Sequence, residues 1–259
     1  YNTLHYYAYG NHLKSILVSR GAPAEKVLCV GSTFLEKYLK FNQNASTWRA
    51  DSKIKPETFL LCVATSRDDS TLEDKWLEPL IKKVSTQSEF ALVLKAHPSP
   101  LRRESLKTIM KQIDNNMYGN VFYSTDDLID VLPASNLIIT DISTVGVQAA
   151  AAKKNLIQCC DASLLDEMKT KIDYESSGIG KLATDFDKLW SLIIDFRLNK
   201  SIEFQKASTM KFNREYNTHG DSLAIERIVS DLNKKCEKLT ENEVFWKEYV
   251  TLEDSQKLL

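Results

Sequence analysis

Short apolar runs alternate with amphipathic segments along most of this chain. The runs are too short for helices and rich in β-branched or large apolar residues, which is typical of buried strands. They cover residues 59–64, 90–94, 121–123, 137–139 and 156–157. Segments with helical periodicity cover about 73–84, 102–117, 125–133, 145–152, 186–196 and 222–239. This alternation predicts an α/β fold with a doubly wound parallel sheet and flanking helices.

The remaining parts of the chain are less regular. Residues 26–30 predict a further strand, and residues 34–41 predict a short helix. Residues 42–57 are polar and lack periodicity, so they are the best candidate for a linker. An irregular segment is expected at 161–183, and a helical tail is expected from residue 240 onward.

One strand–turn–helix unit carries two adjacent hydroxyl groups at its turn. After the strand at 137–139, Ser143 and Thr144 directly precede the alanine-rich helix predicted at 145–152. The unpaired N–H groups and the dipole of a helix N-terminus favour negative charge, so this turn suits a phosphate group. The alternative is ordinary helix capping, which needs only one of the two hydroxyls.

Two further polar loops follow predicted strands. The loop at 65–69 (TSRDD) follows the strand at 59–64, and the loop at 95–98 (KAHP) follows the strand at 90–94. Ligands of open α/β sheets bind at the carboxyl ends of the strands, where the strand order reverses. We therefore expect both loops to meet the Ser143 turn at one edge of the sheet.

The loop at 95–98 offers a cation and a proton donor. Prolines at 98 and 100 exclude regular structure and hold His97 in an extended backbone. Its imidazole could donate to a phosphate oxygen as a nucleotide leaves, which makes His97 the candidate catalytic residue. The alternative is a histidine satisfied by backbone groups in a stiff turn. Lys95 could reach the same phosphate or remain solvated.

The remaining candidate ligand contacts have structural alternatives too. Arg67 could bind phosphate bidentately or pair with the carboxylates at 68 and 69, which could themselves hold Mg²⁺. Asp141 is a poor phosphate ligand by charge, so it is better suited to orienting its loop or to a ribose hydroxyl. Gly31 ends a predicted strand and could line the nucleotide or simply form a turn. Thr65 and Ser66 complete the candidate set.

Composition narrows the class of protein. In 259 residues, 43% are apolar, which supports a sizeable core. Lys and Arg number 34 against 35 Asp and Glu, which argues against a strongly basic nucleic-acid-binding surface. The five cysteines lack CxxC spacing, so buried reduced thiols of a cytoplasmic protein are the simplest interpretation. No apolar run of transmembrane length and no signal peptide is evident.

The three loop motifs together resemble a known family. TSRDD (65–69), KAHP (95–98) and ITDIST (139–144) are similar, in order and spacing, to motifs of the Rossmann-like carboxyl-terminal donor domain of GT-B enzymes. The resemblance is greatest to the CDP-glycerol glycerophosphotransferases of teichoic-acid and capsule synthesis. Flanking stretches at 17–39 and 212–229 also resemble that family, which extends the likeness over about 15–235.

The resemblance implies an enzyme of the glycosyltransferase or glycerophosphotransferase type. Such an enzyme moves glycerol phosphate or a sugar from a CDP- or CMP-activated donor to a cell-surface polysaccharide or polyol-phosphate acceptor. In the implied direct displacement, His97, Ser143, Thr144 and Arg67 meet the charge of the leaving phosphate. The resemblance implies no cofactor besides the nucleotide-activated donor, no obligatory metal and no nucleic-acid partner. It places the protein in the cytoplasm, peripheral to the inner face of the membrane.

The resemblance also implies a division of the chain. Residues 1–55 correspond to the end of an amino-terminal lobe and the segment between lobes, 56–235 to the donor-binding domain, and 236–259 to a carboxyl-terminal helix. Most of the acceptor lobe, which supplies a general base in the family, is expected to lie outside this sequence. The chain departs from the family pattern at Ser66 and Ile142, where aromatic residues are usual, and in the turn at 219–221.

Two other functions stay open at this point. A nonhydrolysing UDP-sugar 2-epimerase has the same architecture, and Gln148 fits that family loosely, but its characteristic glutamates have no counterpart here. A noncatalytic nucleotide-binding module of a multidomain capsule protein is the third interpretation. Preference for cytidine over uridine nucleotides would separate the first interpretation from the second.

Overall fold

Eight strands, nine α-helices and a short 3₁₀-helix (Ala24–Lys26) form the regular secondary structure of the described part of the chain. The computed structural model describes residues 5–40, 47–65, 72–95, 97, 106–141, 143–161, 173–198, 211–212 and 214–241. The strands are β1 (Tyr6–Ala8), β2 (Val27–Cys29), β3 (Phe59–Ala64), β4 (Phe90–Lys95), β5 (Val121–Tyr123), β6 (Leu137–Thr140), β7 (Asn155–Cys159) and β8 (Lys181–Ala183). The helices are α1 (Asn11–Ser19), α2 (Glu36–Leu39), α3 (Trp48–Asp51), α4 (Leu72–Ser85), α5 (Lys107–Asp114), α6 (Leu128–Val131), α7 (Val145–Ala151), α8 (Phe186–Arg197) and α9 (Ala224–Glu241).

A six-stranded sheet lies at the centre, in the order β5-β4-β3-β6-β7-β8. Every neighbouring pair is parallel. The chain winds outward from β3 through β4 to β5 and then returns to the other side through β6, β7 and β8. The order therefore reverses between β3 and β6, which is the switch point of a doubly wound sheet. The predicted fold class is confirmed.

Both faces of this sheet are buried, as expected for parallel strands covered by helices. Successive side chains of a strand point to opposite faces, and the apolar run at 59–64 supplies both. Leu61 and Val63 belong to a core cluster with residues of α4, α5 and α8. Leu60 and Cys62 belong to a second cluster with residues of α6 and α7. The sheet is thus a rigid support for the loops at its carboxyl edge.

A separate two-stranded parallel sheet joins β1 and β2. It is attached to α9 through Asp231, which accepts a 2.7 Å hydrogen bond from the Tyr7 hydroxyl and pairs with Lys235. The hydrogen bond from Lys235, followed by that from Tyr7, lowers the pKa of Asp231 to about 2. The early and late parts of the chain therefore meet here. The predicted division at residues 55 and 235 stays a prediction.

The structure differs from the sequence-based interpretation in three places. The segment at 42–57 contains helix α3, and the segment at 161–183 ends in β8, the sixth strand of the sheet. Helix α5 is shorter than predicted at its carboxyl end, since it ends at Asp114 and not at residue 117. A three-residue edge strand and a four-residue helix are too short to produce a recognisable period in a sequence.

The five cysteines are all free. Cys62, Cys159 and Cys160 are buried, which confirms the prediction for three of the five, whereas Cys29 is half-buried and Cys236 is exposed. Burial raises the pKa of the Cys62 thiol to about 12, so it is an inert apolar residue of the core. Among the helices of the described residues, none is long and apolar enough to cross a lipid bilayer.

Candidate functional site

A cleft of about 580 Å³ opens at the carboxyl edge of the large sheet. The loops after β3, β4, β5 and β6 meet there, beside the switch point between β3 and β6. Helix α2 contributes a further part of the lining. The cleft is lined by Phe34, Lys37, Tyr38, Ala64, Thr65, Lys95, His97, Tyr123, Ser124, Thr125, Asp126, Asp127, Leu128, Ser143, Thr144, Val145 and Gln148. Its volume lies in the usual range for small-molecule sites, roughly 300–1,000 Å³.

Five of the residues predicted from the sequence share this cleft: Thr65, Lys95, His97, Ser143 and Thr144. They lie at the end of β4 and in the loops after β3, β4 and β6, separated by as many as 79 positions in the chain, between residues 65 and 144. The parallel arrangement of the strands brings them to one edge, as expected. The structure therefore assembles the predicted hydroxyl, ammonium and imidazole groups around one space.

Ser143 and Thr144 form the turn between β6 and α7. The Ser143 hydroxyl accepts a 3.3 Å hydrogen bond from the backbone N–H of Val145. Thr144 is the N-cap residue of α7, and its side chain makes no capping hydrogen bond. Capping thus accounts for one hydroxyl, while the Thr144 hydroxyl is exposed on the cleft.

Tyr174 stabilises this turn through a hydrogen bond to its backbone. The Tyr174 side chain is fully buried, and its hydroxyl donates to the backbone carbonyl of Ser143. Burial raises the pKa of Tyr174 well above its usual value, so it remains a neutral donor. Gly146 in the first turn of α7 lies directly against the Tyr174 ring, because a Cβ atom at Gly146 would overlap the ring carbons.

Replacing Gly146 by alanine should therefore lower the free energy of unfolding by about 1–3 kcal/mol, because the ring or the helix must move. Urea denaturation measures this change. Gly119→Ala is the matched control, since an added Cβ there would meet no atom within 4 Å. Equal stability of the two variants would contradict the tight contact between Gly146 and Tyr174.

The loop after β4 is tied to the loop after β3. The buried Thr65 hydroxyl accepts a 3.1 Å hydrogen bond from the backbone N–H of His97. This bond fixes the His97 backbone while its side chain lies on the cleft. The Lys95 ammonium donates to the backbone carbonyl of Asp126, so it bridges the loops after β4 and β5. The backbone of His97 and the side chain of Lys95 are therefore held by neighbouring loops.

The loop after β5 is a part of the cleft lining that our sequence interpretation missed. Asp126 accepts hydrogen bonds from the Trp48 indole at 2.9 Å and from the Ser124 hydroxyl at 2.8 Å. The bond from Ser124, then that from Trp48, lowers the pKa of Asp126 and keeps it ionised. The run at 124–127 (STDD) is polar and follows a strand, so the rule that selected the other loops could have selected it.

Helix α2 adds a second group of residues absent from the sequence-based set. Phe34, Lys37 and Tyr38 line the cleft. The Lys37 ammonium lies 3.5 Å from a carboxylate oxygen of Asp127, in the loop after β5. Phe34 lies just before this helix. A four-residue helix with one buried tyrosine, preceded by an exposed phenylalanine, gives no signal in the sequence that distinguishes it from ordinary packing.

Two described residues of the predicted set, Asp141 and Gly31, are not part of the cleft lining. Asp141 is buried, and its backbone carbonyl accepts a 3.1 Å hydrogen bond from the N–H of Ser143. Its position therefore fits orientation of the loop better than ligand contact. Gly31 has a φ of 97° in the turn after β2, against the side chain of Asn217. Ser66 and Arg67 lie outside the described residues, and their roles stay predictions.

Metal binding by the cleft has no support among the described residues. In the described part of the chain, no group of three His, Cys, Asp or Glu side chains is close enough to hold a metal ion. The carboxylates at 68 and 69, the other candidate, lie outside the described residues. The absence of an obligatory metal stays a prediction.

The fold and the cleft define a Rossmann-like α/β domain of the type found in GT-B enzymes, with a nucleotide-sized cleft at its switch point. A sequence model of the CDP-Glycerol:Poly(glycerophosphate) glycerophosphotransferase family matches residues 44–234. The chain belongs to this family. The sequence-based family assignment is therefore confirmed. No curated protein sequence matches the chain.

Solved structures with the same fold come from two groups of enzymes. The wall teichoic acid polymerase TagF, in a variant form, has a TM-score of 0.58 and 15% identity over 92% of this chain and 59% of its own. UDP-GlcNAc 2-epimerase from Neisseria meningitidis, bound to UDP-GlcNAc, has a TM-score of 0.63 and 16% identity over 90% of this chain and 62% of its own. MnaA of S. aureus, in a structure with UDP, has a TM-score of 0.57 and 18% identity over 91% and 60%.

These likenesses establish the fold and do not distinguish the two activities. The chain spans about three-fifths of the length of the structures that it matches. The match to the family model, together with the cleft, carries the functional argument.

Proposed function

We propose that this chain binds the activated donor of a CDP-glycerol-dependent glycerophosphotransferase. The observation that carries the proposal is the convergence of Thr65, Lys95, His97, Ser143 and Thr144 on one cleft at the switch point, in a chain of this family. A TagF structure soaked with CDPG, at a TM-score of 0.56, is consistent with a donor of this kind on this fold.

The transferred group is glycerol phosphate, and the reaction is a direct displacement. An acceptor hydroxyl oxygen forms a bond to the distal phosphorus of the donor, and the bond from that phosphorus to the CMP oxygen breaks. CMP leaves with the bonding electrons, and the hydroxyl proton passes to a base on the acceptor side. Negative charge grows on the leaving phosphate during this step, so donors fixed beside it accelerate the reaction.

His97 and Lys95 supply that charge stabilisation. The hydrogen bond from the His97 backbone to Thr65 and the bond from Lys95 to the loop after β5 fix both residues before the donor binds. Fixed donors need no reorganisation as charge develops. The Ser143 and Thr144 turn binds the diphosphate, with the Thr144 hydroxyl available because capping does not use it. The acceptor is a polyol-phosphate or polysaccharide at the cell surface.

Calorimetric titration with CDP, CMP, UDP and UMP tests this proposal. We expect CDP to bind at least about tenfold more tightly than UDP, which is a difference of about 1.4 kcal/mol. Lys95→Met should weaken CDP binding, whereas Lys111→Met, which alters an exposed lysine on α5 outside the cleft, should not. Equal affinity for CDP and UDP, or a preference for UDP, would remove the cytidine donor from the proposal.

The UDP-sugar 2-epimerase interpretation has one observation in its favour besides the fold. Gln148, the residue that fits the epimerase family loosely, lines the cleft. Tight binding of UDP-GlcNAc in the same titration, with conversion of the sugar, would favour this alternative. Binding of CDP-glycerol without transfer in any form of the protein would instead favour a noncatalytic module.

A further inference from the structure

The cleft extends well beyond the phosphate-binding turn. Ser143 follows β6 and Asp127 follows β5, and these strands are three positions apart in the sheet. At a strand spacing of about 4.8 Å, the two loops are separated by roughly 14 Å along the carboxyl edge. A nucleoside diphosphate in an extended form has a comparable length. A diphosphate at Ser143 therefore directs its base toward α2 and the loop after β5.

The residues at that end are suited to a flat, polar ring. Phe34 lines the cleft with 57% of its surface exposed, although a large apolar side chain is normally buried. Its ring is 6.3 Å from that of Tyr38, centroid to centroid, at 56°, so the ring is held in place by a neighbour. A supported, exposed aromatic face is a stacking platform for a nucleobase.

Lys37 and Asp127 add a donor beside an acceptor. Their side chains are 48% and 58% exposed, and the ammonium lies 3.5 Å from the carboxylate. Asp127 uses one oxygen to cap α6 through the N–H of Ile129 at 3.4 Å. An ionised carboxylate has about four acceptor positions, so further acceptor capacity remains. Asp126, by contrast, already receives the Trp48 and Ser124 bonds.

When position 4 of the ring lies against Asp127 and N3 lies toward Lys37, this pair matches cytosine better than uracil. Cytosine carries an amino donor at N4 next to the acceptor N3, whereas uracil carries an acceptor oxygen at position 4 next to the N3–H donor. Carboxylates accept from the cytosine N4 amine. A carboxylate facing the uracil O4 oxygen would place two acceptors together, which is repulsive.

We propose that Phe34, Lys37 and Asp127 form a base subsite for cytosine, in which Asp127 accepts from the N4 amine and Lys37 donates to the ring acceptors. Phe34 stacks on the base without distinguishing cytosine from uracil. This inference rests on the proposed function, because it completes the same donor cleft. The preference for cytidine nucleotides would then depend on residues outside the three loop motifs at 65–69, 95–98 and 139–144.

Asp127→Asn is the discriminating variant. Asparagine caps helices about as well as aspartate, so α6 should be retained. The asparagine amide can turn its N–H₂ group toward the O4 oxygen of uracil. The preference for CDP over UDP should therefore fall by about tenfold, which is the scale of one hydrogen bond to a charged group. Asp130→Asn, on α6 but outside the cleft lining, should keep the wild-type ratio. Phe34→Ala should weaken CDP and UDP equally.

A ligand-side measurement gives the same test without altering the protein. CDP with two methyl groups on N4 cannot donate from that position, so its affinity for the wild-type chain should fall to that of UDP. Retention of the full cytidine preference by Asp127→Asn, or of full affinity by the methylated CDP, would overturn the base subsite while leaving the proposed donor cleft intact. Failure of the wild-type chain to bind any cytidine nucleotide would overturn both.

Discussion

Replacing His97 by alanine should lower the rate of glycerol phosphate transfer by about 100-fold or more, the usual effect of removing one donor to a developing charge. We assign to this imidazole, in the loop after β4, the stabilisation of the charge that develops on the leaving phosphate. Its backbone N–H, which bonds to Thr65, is unchanged by the substitution. The variant should therefore fold normally and bind CDP with little loss, so that kcat falls much more than KM rises.

The measurement is initial-rate kinetics with CDP-glycerol, in a form of the protein that has both the donor cleft and an acceptor site. His219→Ala is the matched control, because its imidazole contacts the Cys29 carbonyl at 3.0 Å, away from the cleft lining. A His97→Ala rate within a few-fold of the wild type would exclude a direct role for this imidazole. An equal loss in both variants would indicate a structural cause.

Replacing Arg49 by alanine should lower the free energy of unfolding by about 1.5–3 kcal/mol, the range for hydrogen bonds to a charged group, because this half-buried side chain has several partners. Its guanidinium donates at 2.6 to 3.1 Å to the Asn136 side chain and to the carbonyls of Ala134, Lys55 and Thr58. Asn136 also accepts from the N–H of Leu60 at 2.8 Å. One side chain thus joins α3 to the starts of β3 and β6.

Urea denaturation of the chain measures this effect. Arg49→Lys should recover only part of the stability, because an ammonium has three donors and lacks the planar fork of five. Arg20→Ala, at an exposed position after α1, is the control and should change stability by less than about 0.5 kcal/mol. A small effect of Arg49→Ala would mean that water replaces these bonds at little cost.

The sequence was sufficient to predict the architecture because the central strands are continuous apolar runs. Residues 59–64 and 90–94 are buried on both faces, and a run of that kind has few alternatives in an α/β protein. The edge strand β8 and the short helix α3 were missed. Both depend on contacts made by the folded chain, such as the Arg49 bonds, and not on a local period.

The site was predictable where a polar loop follows an apolar strand. That rule found Thr65, His97 and Ser143, which the fold brings together. It did not separate them from Asp141, because burial of a loop residue depends on its side-chain direction. The rule also could not identify Lys37, because this residue lies on a helix and not in a loop that follows a strand of the large sheet. The strand order that brings such elements together cannot be read from local patterns.

A crystal structure of this chain with CDP would test the donor cleft most directly. We predict that the diphosphate lies about 3 Å from donors of the Ser143–Thr144 turn and of Lys95 or His97, a normal hydrogen-bond distance. The ribose should extend toward the loop after β5. A diphosphate bound away from both loops, at another part of the surface, would contradict the assignment of this cleft to the donor.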